Sequence, residues 1–224
     1  LRFYLPHLTF FRDVRRFFFV DDDILVQKDL GELLHSRTDK PVVSMCSVWE
    51  WGQKCNRFQF YEQQLNILES TVLYGRSVST CQVEKEEEEE NCVPSGYPEL
   101  LKSLLPRAEQ RSQMSWNFGV SMFDVKVWRA KNMTQRYSEM LRLNYQRHFF
   151  PETSLAFGLG VPYLAFAGEV SCLEEFGFQV LDGLGTVSWP VFQSTMKNDA
   201  AALLRLESAG ALHWSGGGKP WDLS

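Results

Sequence analysis

FFFVDDDILVQKDLG, residues 17–31, sets three consecutive aspartates between two apolar runs. Residues 16–20 together with 24–26 read as one short, continuously apolar strand, the kind buried on both faces of a parallel or mixed sheet. Carboxylates carried that close to an interior need a positive partner, because a buried charge without one is strongly destabilising. In an extended backbone Asp21 and Asp23 project to one side and Asp22 to the other. Two carboxylates on one side offer hard oxygen ligands to Mg²⁺ or Mn²⁺. In an open α/β sheet ligands bind beyond the carboxyl ends of the strands, where these acids fall. Taken alone, an Asp-x-Asp is equally well explained as a polar turn or a capping cluster without metal.

The 224 residues are 44% hydrophobic and 14% aromatic, ample for a packed globular core. The 23 basic and 28 acidic residues leave a net charge of −5, much of it from the run Glu84 to Glu90, interrupted only by Lys85. No basic stripe runs through the chain, which argues against nucleic acid as a partner. No apolar stretch approaches the roughly 20 residues that span a bilayer, and no signal-peptide pattern opens the chain. RFYLPHL, from Arg2, reads as the middle of a helix that begins before Leu1. An N-terminal segment, with room for a membrane anchor, is therefore expected to precede the chain.

Five cysteines, at 46, 55, 81, 92 and 172, leave at least one unpaired within the chain. Cys81 with Cys92 would close the acidic loop and Cys46 with Cys55 is a second pair; buried reduced thiols are the equal alternative, and spacing does not choose. The sequon Asn132-Met133-Thr134 fits a secretory-pathway lumen, though such triplets are common by chance.

Along the chain, Asp29 is placed to cap a short helix, DLGELLHS, and PVVSMCSV, 41–48, reads as the next strand. Residues 53–75 carry a mixed pattern, and STCQVEKEEEEENCVPSGY, 79–97, reads as a solvated low-complexity loop. SWNFGVSMFDVKVW, 115–128, contains a strand ending at Asp124. Thr134 is predicted to cap an amphipathic helix to about Tyr145, with Tyr137, Met140, Leu141 and Tyr145 on one face. Gly-rich apolar segments follow at 155–168 and 180–192, and a short helix is expected around Ala200 to Glu207. Strands separated by helices predict an α/β architecture, a sheet with helices on both faces, in one domain over 1–224.

Two further stretches carry chemistry. HWSGGGKPW, 213–221, joins an imidazole able to ligate metal, three glycines that admit close backbone approach, and a lysine suited to a diphosphate. His213 would complete the set begun by the aspartates, and a mixed carboxylate and imidazole set tilts preference from Mg²⁺ toward Mn²⁺. A structural histidine and a flexible glycine tail explain each piece in isolation. In WNFG, 116–119, Asn117 is placed to hydrogen-bond a sugar hydroxyl and Gly119 to leave room for a ring; an ordinary strand start is the plain alternative.

Together, FFFVDDDILVQKDL, WNFGVSMFDVKVWRAKNMT and HWSGGGKPW resemble, in order and rough spacing, glycosyltransferase family 8. This family of retaining enzymes includes glycogenin, bacterial lipopolysaccharide galactosyltransferases and plant galacturonosyltransferase-like proteins. RFYLPHL is similar to the helix preceding the Asp-x-Asp strand there, and the resemblance runs from about residue 2 to 221. It implies a type-A glycosyltransferase fold with a Rossmann-like mixed sheet, a UDP-sugar donor and usually Mn²⁺, with Mg²⁺ as the alternative. By the same resemblance, Asp21 and Asp23 match the metal-binding pair and His213 the third ligand. Lys219 matches the residue holding the donor diphosphate, Gly216 lies in the same turn, Asn117 matches a donor-sugar contact, and Asp22 a contact to the nucleoside ribose.

Two departures accompany the resemblance. The family's first strand and Gly-rich turn would lie before Leu1. Further, PETSLAFG, 151–158, lacks the Asp-Gln-Asp lining of the reaction centre in many bacterial members, so Glu152 or Thr153 is expected to stand in. The implied reaction transfers a hexose or hexuronic acid to a glycan or other hydroxyl acceptor with retention. The alternative is an inactive homologue that binds nucleotide-sugar or glycan, or serves as a partner subunit. The cysteines, the sequon and the resemblance agree on a Golgi lumen.

Overall fold

The computed structural model describes residues 1–46, 49–50, 53–54, 116–147 and 155–222. Most of the 53–75 segment, the acidic loop, Cys55, Cys81, Cys92, Glu152 and Thr153 lie outside the described residues. The chain divides into two compact units, Leu1–Arg57 with Met114–Thr134 and Glu169–Ser224 in one, and Phe58–Gln113 with Gln135–Gly168 in the other.

All described strands belong to the first unit. They are β1 (Arg16–Val20), β2 (Ile24–Val26), β3 (Val42–Met45), β4 (Trp49–Glu50), β5 (Gln53–Lys54), β6 (Asn117–Asp124), β7 (Val170–Cys172), β8 (Val180–Leu181) and β9 (Ala211–His213). The four-stranded sheet has the order β1-β6-β3-β7 and the five-stranded sheet β2-β9-β8-β4-β5. Residues 16–26 thus form two strands in two sheets rather than one, and β1 is half-buried rather than covered on both faces. The reason is its place in its sheet: among the described residues only β6 pairs with it, and the aspartates break the ladder by turning the chain from one sheet into the next.

β6 is buried from Phe118 to Asp124, and its long apolar run serves two cores. Val120 and Met122 pack with Val43, Met45, Leu173 and Phe178, while Phe123 stacks on Phe17 at 5.0 Å and meets Trp128 edge-on at 5.3 Å. Asp124 ends the strand and caps the short helix α1 (Val125–Ala130), its side chain accepting from the Val127 N–H at 3.0 Å. Asp29 is not the cap of the 3₁₀ turn Gly31–His35, whose N-cap is Leu30; its carboxylate accepts from the Gly31 N–H, two residues on, at 2.7 Å. RFYLPH also winds as a 3₁₀ helix, Arg2–His7, with Phe3 packed on Phe118 and Trp128.

Helix α2 (Met133–Arg147) starts one residue earlier than the expected cap. Thr134 instead accepts from Trp128 Nε1 at 2.8 Å and donates to the Phe3 carbonyl at 2.7 Å. In the second unit its buried stripe is Met140, Leu143 and Asn144, with Tyr145 exposed, so the apolar face is rotated from the expected one. There too, Tyr137 stacks on Phe166, just past α3 (Leu155–Ala165). In the first unit α4 (Trp189–Asn198) and α5 (Ala200–Ser208) form a helical pair before β9, and Asp199 caps α5 through the N–H groups of Ala201 and Ala202.

The expected Cys46–Cys55 pair is not formed: Cys46 is bonded to Cys172. Parallel pairing of β3 with β7 sets Ser44 beside Cys172 and brings the two cysteine Cα atoms to 5.1 Å, across a sequence separation of 126 that spacing arguments do not reach.

Candidate metal and donor site

The registers of two strand pairs build the site. Val20 pairs with Val120 at the end of the β1–β6 ladder, and the next N–H, that of Asp21, donates to the Gly119 carbonyl at 2.8 Å. Ile24 pairs with His213 where β2 meets β9, and the Trp214 N–H donates to the Asp23 carbonyl at 3.0 Å. The three aspartates therefore bridge two sheets, and the bridge is closed on both sides by backbone bonds. Asp22 is exposed, while Asp21, Asp23 and His213 face one another with a donor atom from each lying within 4.8 Å of the others.

Both inward acids have the positive partners that the sequence demands. Arg2 meets Asp21 Oδ1 at 2.8 Å, donates to the Phe118 carbonyl at 2.7 Å and lies over the Phe19 ring at 4.4 Å. Lys219 reaches Asp23 Oδ2 at 2.6 Å and the Trp214 carbonyl at 2.8 Å. Burial pushes the Asp21 carboxyl above its ordinary value, and the nearby Asp23 charge adds to that, against the lowering pull of Arg2.

His213 is 3% exposed and held from three sides. Its Nδ1 lies 2.7 Å from Asp182 Oδ1 and its Nε2 3.3 Å from Asp23 Oδ1. Gly119 leaves room for this imidazole, since a Cβ there would sit 2.8 Å from His213 Cε1. Asn117 accepts from the Gly119 N–H at 2.9 Å and places its Nδ2 3.5 Å from His213 Nδ1. The turn that carries Lys219 is fixed by Gly216, whose φ of 114° suits glycine and whose Cβ would meet the Gly185 backbone at 2.8 Å. The Gly218 N–H donates to the Gly185 carbonyl at 2.8 Å.

These residues fit a divalent cation. Asp23 Oδ1 is a buried oxygen that accepts no hydrogen bond. It faces His213 Nε2, and with Nδ1 aimed at a carboxylate the free lone pair of the imidazole is on Nε2. Two lone pairs facing each other repel unless a cation or a proton lies between them. Two carboxylates and one imidazole form a mixed oxygen and nitrogen set of the kind that takes a divalent metal.

Of the residues singled out in the sequence, Asp21, Asp23, His213, Lys219, Asn117, Gly119 and Gly216 come together here and Asp22 points to solvent; Glu152 lies outside the described residues. Arg2, Asp182 and Ser215 were not singled out. Asp182 follows an apolar pair as Asp21 does, but the glycine after it gives the ordinary look of a turn. Arg2 had none, because a cation at the start of a helical turn is ordinary.

The fold and sequence can be set against known proteins. The galactosyltransferase LgtC, solved with donor and acceptor sugar analogues, superposes with a TM-score of 0.50 at 14% identity, over 98% of this chain and 59% of that one. The bifunctional glycosyltransferase WbbM gives 0.50 at 16% identity, over 98% of this chain and 32% of that one. The fold is thus the type-A glycosyltransferase fold. Probable galacturonosyltransferase 9 of Arabidopsis thaliana is 26% identical over 224 residues, 99% of this chain and 29% of that protein. The hexosyltransferase GAUT11 of the same plant is 26% identical over 225 residues, 99% of this chain and 30% of that protein. The chain spans about three tenths of the length of these curated relatives. The sequence profile of glycosyl transferase family 8 matches residues 1–223, nearly end to end, and the chain belongs to that family.

Proposed function

We propose that this chain carries the donor and metal site of a retaining glycosyltransferase that moves a hexose or hexuronic acid from a UDP-sugar to a hydroxyl acceptor, with Mn²⁺ as the preferred cation. The observation that supports this most is the convergence of Asp21, Asp23 and His213 with Lys219 seated on Asp23. The relatives' names, galacturonosyltransferases and a hexosyltransferase, favour a hexuronic acid or hexose.

A cation bound there supplies Lewis-acid neutralisation of the departing diphosphate. The chain's own residues do the rest. Lys219 exchanges its contact with Asp23 for the diphosphate, adding a charge-assisted hydrogen bond where negative charge develops. Gly216 to Gly218 keep the turn tight enough for backbone N–H groups to approach the phosphates. Asn117 orients the donor sugar, and Asp22, which is exposed, contacts the ribose. The acceptor attacks on the face the diphosphate leaves, its proton passing to the departing phosphate oxygen, which retains configuration without an enzyme nucleophile. A kinetically competent glycosyl adduct on Glu152 would overturn that route.

The Cys46–Cys172 bond and the exposed Asn132 of the sequon support the lumen of the secretory pathway, the Golgi included, as the working compartment. The test is release of UDP by the full-length protein from a panel of UDP-sugars, with and without Mn²⁺. Release that needs Mn²⁺ and names one sugar is expected. Release that is equal in chelator, or binding of Mn²⁺ and UDP with no turnover of any donor, overturns the reading, the latter in favour of a binding subunit.

A further inference from the structure

We propose that Asp182 is a positioning residue of this centre: it accepts a hydrogen bond from the Nδ1–H of His213 and so turns the Nε2 lone pair toward Asp21 and Asp23. The inference rests on the metal-dependent reading above and assigns a role to a residue that supplies no ligand in that reading.

Strand register puts Asp182 there. β8 runs parallel to β9 with Leu181 beside Leu212, so the residue after β8 comes alongside His213. Asp182 is fully buried, at 0% exposure. A carboxylate in that position persists only where donors surround it, and three meet its Oδ1: His213 Nδ1 at 2.7 Å, the Gly183 N–H at 2.8 Å and the Ser215 hydroxyl. Ser215 also accepts from the Gly183 N–H at 3.1 Å. An oxygen taking hydrogen bonds from a backbone N–H and a hydroxyl is an acceptor, so the proton between it and His213 belongs to the imidazole. That fixes the tautomer. Proton on Nδ1 means lone pair on Nε2, the nitrogen that faces Asp23 Oδ1 at 3.3 Å. A ligating histidine whose other nitrogen donates to a carboxylate is both oriented and made more basic, and loss of such a partner typically weakens metal affinity about 10–100-fold.

Ser215 is the clamp on that clamp. It stands two residues after His213, and by donating to Asp182 it ties the loop leading to Lys219 to the carboxylate that orients the histidine.

The test measures Mn²⁺ affinity of the full-length protein without nucleotide, by counting free Mn²⁺ in EPR, together with the ¹⁴N modulation of bound Mn²⁺ that reports imidazole coordination. Asp182→Asn keeps the side-chain volume and is expected to weaken Mn²⁺ about 10–100-fold and to diminish the ¹⁴N signal. Ser215→Ala is expected to weaken it in the same direction by less, and Ser215→Thr to restore it. A purely structural role would lower the melting temperature while leaving affinity and ¹⁴N modulation at the wild-type level, and that result overturns the proposal. Should Asp182→Asn fail to fold, Ser215→Ala decides, and unchanged affinity overturns it. Wild-type protein that binds no Mn²⁺ overturns the proposed function and this inference together, whereas normal binding by wild type and variants alike overturns the positioning role alone.

Discussion

The β1–β6 ladder has an ion pair at each end, and the two differ in what they leave over. At one end Arg16 meets Asp124 at 2.9 Å, with side chains only 6% and 8% exposed. Arg16 also donates to the carbonyls of Leu34 at 2.8 Å and Ser36 at 2.6 Å, while Asp124 caps α1. At the other end Arg2 and Asp21 are about a quarter exposed, and neighbouring Asp23 holds Lys219 on one oxygen and nothing on the other. The first pair uses its polar groups to fasten β1, the 31–36 turn and α1 together. At the second, backbone and cations hold the acids in place but leave acceptor capacity unspent, as the proposed cation site requires. Saturation, more than charge or burial, separates the structural end from the working end.

That contrast can be broken by substitution. Asp23→Ala is expected to reduce Mn²⁺-dependent UDP release by about a thousandfold or more, since a Lewis-acid cation is worth several kcal/mol. Its denaturant midpoint should change little. Asp124→Ala should invert the pattern, destabilising the fold by about 3–5 kcal/mol in equilibrium unfolding because Arg16 is left buried and unpaired, while Mn²⁺ affinity of the folded fraction stays at the wild-type level. An Asp124→Ala protein of wild-type stability would show that saturation does not mark the structural end.

Lys219→Ala sharpens the comparison within the working end. Lost hydrogen bonds from a charged group cost about 1.5–3 kcal/mol, so UDP affinity in Mn²⁺ should fall roughly 10–100-fold. Mn²⁺ affinity without nucleotide should hold or improve, because a competing cation has left Asp23. Calorimetry with each ligand separately reads both terms. The smallest effect concerns Asp21. Burial raises its folded-state pKa above 3.8, so the metal-free fold holds this proton more tightly than the unfolded chain does. That contribution to stability is full below the unfolded value and is lost as pH rises through the folded one. Mn²⁺ needs the ionised acid, so affinity should climb as pH rises through the raised pKa. Arg2→Ala removes the group that lowers this pKa and should move the climb to higher pH; a shift to lower pH would contradict the assignment.

Much of the site was legible because its parts are local. Asp21 and Asp23 straddle Asp22 by simple alternation, and Gly216 to Lys219 advertise a tight basic turn. The need for positive partners was also legible, while their identity was not: Lys219 stands 196 positions from Asp23, and Arg2 looked like an ordinary helix residue. Asp182 stayed hidden because an acid before glycine reads as a turn until a parallel strand brings histidine beside it. The same cause explains the cysteines, where spacing left the pairing open and β3–β7 pairing selects Cys172 for Cys46.

By itself the sequence determined the α/β class, because periodicity and short motifs act over a few residues, and its resemblance to family 8 pointed to the residues proposed for a cation and a diphosphate. The tertiary structure decided that residues 16–26 divide between two sheets, that Cys46 joins Cys172, and that Arg2 meets Asp21 and Asp182 meets His213. Strand register sets these outcomes, and register is fixed only when distant segments bury their apolar faces together.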